Sequence, residues 1–106
     1  MARVKPIGGY AEERLIDADR LVKLPEGVST EQAGAMMLQG VTAWMLLRAV
    51  HRVQAGETIL IHAAAGGVGL IVCQWATALG ATVIGTVGSD EKAELARAHG
   101  CDHPIV

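Results

Sequence analysis

The second half of the chain alternates short apolar runs with segments whose apolar residues recur at helical spacing. The runs at 58–62 and 82–87 are rich in branched residues and lie next to glycine, which is typical of buried strands in a parallel sheet. Between the runs, apolar residues keep helical spacing from Val68 to Leu79, and Gly80 stands at the expected helix C-cap. These patterns predict a strand–helix–strand unit.

A further helix and strand extend this unit. Ser89 precedes a segment that runs to about His99 and is closed by Gly100, which indicates a capped helix. Ile105 and Val106 have the character of the first residues of a third strand. The order strand–helix–strand–helix–strand predicts the α/β class, as part of a Rossmann-type doubly wound parallel sheet with right-handed crossovers.

The first part of the chain has a different pattern. Residues 10–16 and 21–24 alternate loosely between apolar and polar and predict two short strands, followed by a turn at 25–27. This pattern indicates a short β-rich piece before the Rossmann-type segment. Because the first six residues lack the apolar run of a signal peptide, we predict no secretory leader there.

Two helices are predicted between these regions. Ser29 and Gln32 have the spacing of a capping box, so a short helix begins near Thr30. A second helix is predicted for residues 41–50, where apolar side chains cover most sides and indicate burial on several faces. We interpret Trp44 as a core residue of this helix.

The segment after the first predicted strand fits the frame G-x-G-x-x-G, with Ala64, Gly66 and Gly69 at its three fixed positions. Gly66 would let the backbone approach a pyrophosphate, and Gly69 would let the helix pack close to the strand. The amides near Gly67 and Val68 would point at the anion. Alanine at the first position makes this turn only if its φ stays negative. A glycine-rich packing turn is the alternative.

The residues after the second predicted strand favour NADP over NAD. NAD-binding proteins place a carboxylate about 20 residues beyond the loop, yet positions 86–87 carry none. Gly88, Ser89 and Lys92 instead offer space, a hydroxyl, a helix N-terminus and an ammonium, which suit a 2′-phosphate. The acidic pair at 90–91 counts against this interpretation unless it faces solvent and complements the helix dipole. A solvated surface lysine is the alternative for Lys92.

Composition narrows the function classes further. The 106 residues suffice for one domain, and the net charge of −2 without a basic stripe argues against a nucleic-acid partner. Cys73 and Cys101 lack the spacing of a metal site, so we expect both to stay reduced in the cytoplasm. The chain has no uncharged apolar run of about 18 residues, and we predict no membrane span.

Two motifs carry a resemblance to a known family. The sequences MLQGVTAW at 37–44 and IHAAAGGVG at 61–69 resemble those of zeta-crystallin-like NADPH:quinone oxidoreductases, in the medium-chain dehydrogenase/reductase superfamily. Supporting stretches lie at 9–13, 18–25 and 85–89. The resemblance implies a GroES-like catalytic domain followed by an NADP-binding Rossmann domain. Residues 1–28 would then be a remnant of the first, and residues 29–106 the N-terminal half of the second.

The family relationship also implies a chemistry. Family members transfer hydride from NADPH to quinones or other conjugated carbonyls without zinc. Zinc-dependent relatives have a cysteine ligand where this chain has Leu38, and leucine cannot bind zinc. The family acts in the cytoplasm on small molecules, as homo-oligomers. The strands of the family's subunit interface are expected to lie beyond this chain, which we interpret as about a third of a family member.

The resemblance assigns these residues to NADP(H): Thr42, Gly66, Gly67, Val68, Gly88, Ser89 and Lys92. Thr42 would lie beside the nicotinamide, the next three would hold the pyrophosphate, and the last three would meet the 2′-phosphate. No residue is expected to act as a general acid or nucleophile. For Thr42 the alternative is a hydrogen bond to its own helix backbone. We interpret His62 as a packed, hydrogen-bonded core histidine.

Two other functions stay open. The chain could be a non-catalytic NADPH-binding module or an inactive remnant, because a half sheet leaves an unpaired edge that favours association. A short-chain reductase is less favoured, since that family needs a Tyr-x-x-x-Lys pair and Tyr10 is followed four residues later by Arg14.

Overall fold

A three-stranded parallel sheet forms the centre of the fold. The computed structural model describes residues 8–106, so the prediction about the first six residues lies outside the described part. The strands β1 (Thr58–Ile61), β2 (Thr82–Thr86) and β3 (His103–Ile105) are ordered β1-β2-β3 and all run parallel. This arrangement confirms the predicted Rossmann-type α/β class.

The helices follow from their caps. Helix α1 (Thr30–Trp44) begins with the predicted capping box and continues as the π-helical segment Met45–Val50. Helix α2 (Gly67–Ala78) connects β1 to β2, and α3 (Asp90–Ala98) connects β2 to β3. Gly80 and Gly100 follow α2 and α3 with φ of 83° and 94°, the left-handed conformation that ends a helix and favours glycine.

The core lies on one face of the sheet. Val83 of β2 is fully buried, together with Cys73 and Ala76 of α2 and Ala96 of α3. Because both crossovers have the same hand and the strands advance in one direction, both helices cover the same face. The other face is open, and Leu60 on it is 59% exposed. The first two predicted strands are therefore correct in position, whereas the third, predicted to begin at Ile105, begins at His103 and ends at Ile105, and neither β1 nor β3 is fully buried.

The two strands predicted in the first part of the chain are wrong. Residues 10–16 and 21–24 are irregular, and the short 3-10 turn Ala18–Arg20 lies between them. Tyr10 and Leu15 are fully or almost fully exposed. Alternating polarity predicts a strand only where a neighbouring strand takes its backbone hydrogen bonds, and the described residues give this segment none.

The two predicted helices at 30 and 41–50 form one continuous helix, because no strong helix breaker separates them. Its predicted burial on several faces is also wrong. Ala43 and Leu47 are its buried residues, whereas Trp44, interpreted above as core, is 51% exposed. Apolar residues cover most of this helix, but within the described chain α2 is its main helical partner and contacts one side.

The length and composition of this helix would also allow it to cross a membrane. Thr30–Val50 spans 21 residues and contains an 18-residue stretch with a mean hydropathy of 1.2, contrary to the expectation that no segment qualifies. The helix contains no uncharged run of 18 residues, because Glu31 and Arg48 lie near its ends. The observation is weak evidence for a membrane, because helices that pack inside water-soluble proteins meet the same criterion.

Candidate functional site

The glycine-rich loop lies at the carboxyl edge of the sheet, between β1 and α2. The Ala64 amide donates a hydrogen bond to the Thr86 carbonyl oxygen over 3.0 Å, which fixes the loop to the end of β2. Gly66 donates to the Ala63 carbonyl oxygen over 2.8 Å and closes a tight turn. The loop is thus held where ligands bind in open α/β sheets, outside the carboxyl ends of the strands.

Two glycines allow this loop to pack closely. A Cβ on Gly69 would lie 2.3 Å from the Ala63 carbonyl oxygen, which no side chain tolerates. A Cβ on Gly85 would lie 2.5 Å from Ala64 Cβ and 2.7 Å from Cys101 Sγ. Gly69 has the predicted role in close packing, whereas the role of Gly85 depends on contacts between distant residues and was not predicted.

The backbone of the loop differs from the expectation in one respect. Ala64 does keep a negative φ, but Ala63 before it has φ of 54°, the left-handed region that alanine adopts at a cost. In this conformation, the Ala63 carbonyl oxygen accepts the Gly66 hydrogen bond.

The N-terminus of α2 offers unused hydrogen-bond donors. Its N-cap is Gly66, which has no side chain to cap the helix, and Leu70 is the first residue whose amide bonds back, to the Gly66 carbonyl oxygen. The amides of Gly67, Val68 and Gly69 therefore have no acceptor within residues 8–106. Three such amides and the positive end of the helix dipole form an arrangement that binds anions.

The start of α3 is arranged differently. Ser89 caps it, with its hydroxyl oxygen accepting a hydrogen bond from the Lys92 amide over 3.3 Å. The hydroxyl proton remains available to a ligand. Gly88 is exposed, and a Cβ on it would meet no atom within 4 Å, so there is space in front of the helix. The Lys92 side chain is exposed, as are both acidic residues at 90–91.

The starts of α2 and α3 lie at the same edge of the sheet. The glycine-rich loop before α2 follows β1 and bonds to Thr86, the last residue of β2, and Gly88, just before α3, is two residues further along the chain.

Thr42 and His62 each make a side-chain hydrogen bond that bears on the interpretation given above. Thr42 is half-buried, and its hydroxyl donates to the Leu38 carbonyl oxygen over 2.7 Å, the alternative considered above. His62 is exposed, so its assignment to the core is wrong. Its predicted hydrogen bond exists, between Nδ1 and the Thr86 hydroxyl at 2.9 Å. The histidine is exposed because it lies on the open face of the sheet.

Gln39 is a residue that the sequence reading did not single out. Its side chain lies over the first residue of α2: its Cγ and Nε2 atoms are 3.4 and 3.7 Å from where a Gly67 Cβ would be. Gln39 lies four residues before the buried Ala43, so both face α2. The approach of α1 to α2 is a tertiary contact, and its sequence signal is the shared helical face.

Both cysteines are buried and free, and their staying reduced remains a prediction. Burial, followed by the proximity of Cys101, raises the pKa of the Cys73 thiol to about 11. Cys73 is therefore protonated and unreactive near neutral pH. Among the described residues, no three His, Cys, Asp or Glu side chains are grouped to hold a metal ion. Zinc independence stays a prediction.

Known proteins match the chain in sequence. A family model described as zinc-binding dehydrogenase matches residues 67–105. A quinone oxidoreductase from Pseudomonas aeruginosa is 57% identical over 95 residues, which cover 90% of this chain and 29% of that protein.

Solved structures match its fold. Escherichia coli quinone oxidoreductase complexed with NADPH aligns with a TM-score of 0.80 and 50% identity, over 84% of this chain and 27% of that one. A 2-haloacrylate reductase aligns with a TM-score of 0.87 and 49% identity, over 96% of this chain and 32% of that one. The chain thus spans between 27% and 32% of the length of these relatives. By sequence and by fold, the chain is similar to one segment of the quinone oxidoreductases of the medium-chain dehydrogenase/reductase superfamily, as its motifs predicted.

Proposed function

We propose that this chain is the NADP(H)-binding segment of a zinc-independent quinone oxidoreductase, which transfers hydride from NADPH to a quinone or other conjugated carbonyl. Residues 1–28 would belong to a GroES-like catalytic domain and residues 29–106 to the N-terminal half of the Rossmann domain. The observation that carries the proposal is the uncapped N-terminus of α2, which is fixed by Ala64 and Thr86 at the carboxyl edge of the sheet.

The pyrophosphate is assigned to the glycine-rich loop. The unpaired amides of Gly67 and Val68 would donate to its oxygens, and the helix dipole would favour its negative charge. Gly66 leaves the outer side of the loop free, because a Cβ there would meet only the Ala63 carbonyl oxygen within 4 Å. The relative from E. coli, solved with NADPH, supports this assignment.

The 2′-phosphate is assigned to the start of α3. Gly88 leaves room for it, the Ser89 hydroxyl would donate a hydrogen bond, and the Lys92 ammonium would supply charge. The end of β2 carries Thr86 in place of the carboxylate that holds a ribose 2′-hydroxyl in NAD-binding proteins. Both features favour NADPH over NADH.

In the reaction, this chain would act by binding and positioning. When bound, NADPH supplies the hydride. Thr42 is assigned to the nicotinamide side of the site, where its hydroxyl oxygen still has lone-pair capacity after donating to Leu38. Holding NADPH and the substrate in the correct relative orientation lowers the barrier to hydride transfer without a general acid or base. We assign no residue of this chain a proton-transfer role.

The proposal also covers the cellular location, the substrate and the partners of the protein. The reduced thiols at Cys73 and Cys101 agree with a cytoplasmic protein. The substrate is a small quinone or enone, and we propose no nucleic-acid partner and no membrane span. Homo-oligomerisation would use parts of the relatives beyond the matched segment.

A second candidate is a binding module without turnover. The observation that favours it is that the groups described above, the uncapped start of α2 and the start of α3, would bind a nucleotide whether or not hydride is transferred. Exchanging the matching segment of the P. aeruginosa relative for this one would separate the two functions. Quinone reduction by the exchanged protein supports the enzyme, whereas cofactor binding without reduction supports the module.

The first test is a titration of the purified chain with NADPH and NADH, followed by nicotinamide fluorescence and tryptophan quenching. Saturable binding that prefers NADPH is the expected result. A chain that is folded by circular dichroism but binds neither nucleotide would contradict the proposed function.

A further inference from the structure

Gln39 has a polar side chain that the fold places beside the candidate phosphate site and that no described residue engages. It is half-buried on α1, and its amide has no hydrogen-bond partner among residues 8–106. The other two glutamines on helices bond nearby: Gln32 completes the α1 capping box, and Gln74 donates to the Leu70 carbonyl oxygen over 3.0 Å. No buried side-chain nitrogen or oxygen among the described residues lacks a partner, so the Gln39 amide is reached by solvent and is a donor open to a ligand.

The direction of the contact indicates the ligand. A Cβ on a helix points toward the helix N-terminus. The Gln39 amide nitrogen lies 3.7 Å from the Cβ position of Gly67, the first residue of α2. The nitrogen is therefore on the side of α2 where its unpaired amides point, and an oxygen bound by those amides would lie within reach of an amide donor.

Packing of α1 against α2 holds the Gln39 side chain in its position. Ala43, four residues after Gln39, is fully buried and belongs to the core cluster, so the face that carries Gln39 is held against α2. A donor held in place by packing loses little conformational freedom on binding. The side chain would thus be ready for a ligand before the ligand arrives.

We infer that Gln39 is a further ligand-contacting residue, whose side-chain amide donates a hydrogen bond to the diphosphate bridge of the bound dinucleotide. This inference rests on the proposed function, since it assigns a donor to the same site. It adds a contact from α1, so the diphosphate would be held between two helices. A hydrogen bond to a charged oxygen corresponds to a loss of about tenfold or more in affinity when the donor is removed.

The test uses Gln39→Met, which keeps the length of the side chain and removes the donor. NADPH and adenosine 2′-monophosphate are the probes, because the second carries the 2′-phosphate but lacks the diphosphate. We expect Gln39→Met to weaken NADPH binding about tenfold and to leave adenosine 2′-monophosphate binding unchanged. Gln39→Lys, which restores a donor, should restore NADPH binding. Gln74→Met is the matched control and should bind both probes as the unsubstituted chain does.

Three results would overturn the inference. Binding of NADPH by Gln39→Met within twofold of the unsubstituted chain would show that the amide makes no contact with the ligand. Equal weakening of both probes would show that Gln39 supports the fold and not the diphosphate. If the unsubstituted chain itself binds neither probe, the proposed function fails and the inference with it, a result distinct from loss in the variant alone.

Discussion

The amide of Ala64 and the carbonyl oxygen of Thr86 are joined by a 3.0 Å hydrogen bond, which links the first residue of the glycine frame to the last residue of β2. This bond brings the start of α2 and the start of α3 to one edge of the sheet. The candidate nucleotide site therefore depends on how closely the loop packs against the strand, and the first predictions concern that packing.

Gly69→Ala should destabilise the chain by about 2 kcal/mol or more, because the added methyl group would overlap the Ala63 carbonyl oxygen at 2.3 Å. Urea denaturation followed by circular dichroism measures the effect. Gly67→Ala is the matched comparison, since its Cβ would meet Gln39 Cγ at an ordinary 3.4 Å, and it should unfold at nearly the same urea concentration as the unsubstituted chain. Equal losses would contradict the packing described for the loop.

Ala63→Gly should stabilise the chain by about 0.5–1 kcal/mol. Ala63 has φ of 54°, and glycine adopts this conformation without steric cost. The gain is reduced by the greater freedom of glycine in the unfolded chain. Ala65→Gly, at a neighbouring residue with negative φ, should instead lower the melting temperature. If both substitutions lowered it, the left-handed conformation at Ala63 would not carry strain.

Lys92→Ala should weaken NADPH binding and leave NADH binding nearly unchanged, because the two nucleotides differ by the 2′-phosphate that Lys92 would meet. The dissociation constant for NADH divided by that for NADPH should fall about tenfold. Arg97→Ala removes one positive charge from the last turn of α3 and serves as the control. Equal weakening of both nucleotides by Lys92→Ala would show that Lys92 does not contact the 2′-phosphate.

Gly66→Val should abolish binding of both NADPH and NADH. A branched side chain at Gly66 would stand in the path of the pyrophosphate, and its Cβ would already be 3.1 Å from the Ala63 carbonyl oxygen. Titration by nicotinamide fluorescence measures the loss, with circular dichroism to check that the variant is folded. A folded variant that binds both nucleotides normally would mean that the loop is not the site.

Glu57 should make the stability depend on acid pH. Its carboxylate accepts a hydrogen bond from the Gln54 amide over 2.9 Å and contacts His51 Nε2 at 3.0 Å, and these contacts hold its pKa below the usual 4.5. A lowered pKa in the folded state contributes stability that is present above pH 4.5 and is lost as the pH falls through the lower folded value. Urea denaturation between about pH 3 and 6 should show the two stabilities converging at low pH for the unsubstituted chain and Glu57→Gln. A constant difference across this range would contradict the assignment.

The elements of the second half could be predicted because their signals are local. Ser89 caps α3 and Gly80 ends α2 through contacts within a few residues of each. The strands at 10–16 and 21–24 could not be judged in this way, since a strand depends on a partner elsewhere in the chain. The burial of α1 was overestimated for the same reason: an apolar surface shows that a helix can be covered and does not show by what.

In the candidate site too, some residues could be predicted from the sequence and others could not. Gly66 and Gly69 follow from a motif whose spacing carries the chemistry. Gln39 and Gly85 do not follow from that motif. Gln39 matters because α1 packs against α2, and Gly85 matters because Ala64 and Cys101 both pack against it. A sequence pattern gives the residues of a loop, but the residues packed around the loop come from the tertiary structure.

The two buried thiols can report local opening of the contact between the glycine-rich loop and the sheet. Cys73 Sγ lies 3.9 Å from the Ala64 carbonyl oxygen, and Cys101 Sγ lies 3.7 Å from that of Val83, so both are covered by the contact between the loop and the sheet. An alkylating reagent can reach them only while this contact is broken. The rate at which the thiols are modified therefore measures how often the loop leaves β2, and a nucleotide held by that loop would slow the modification in proportion to its occupancy.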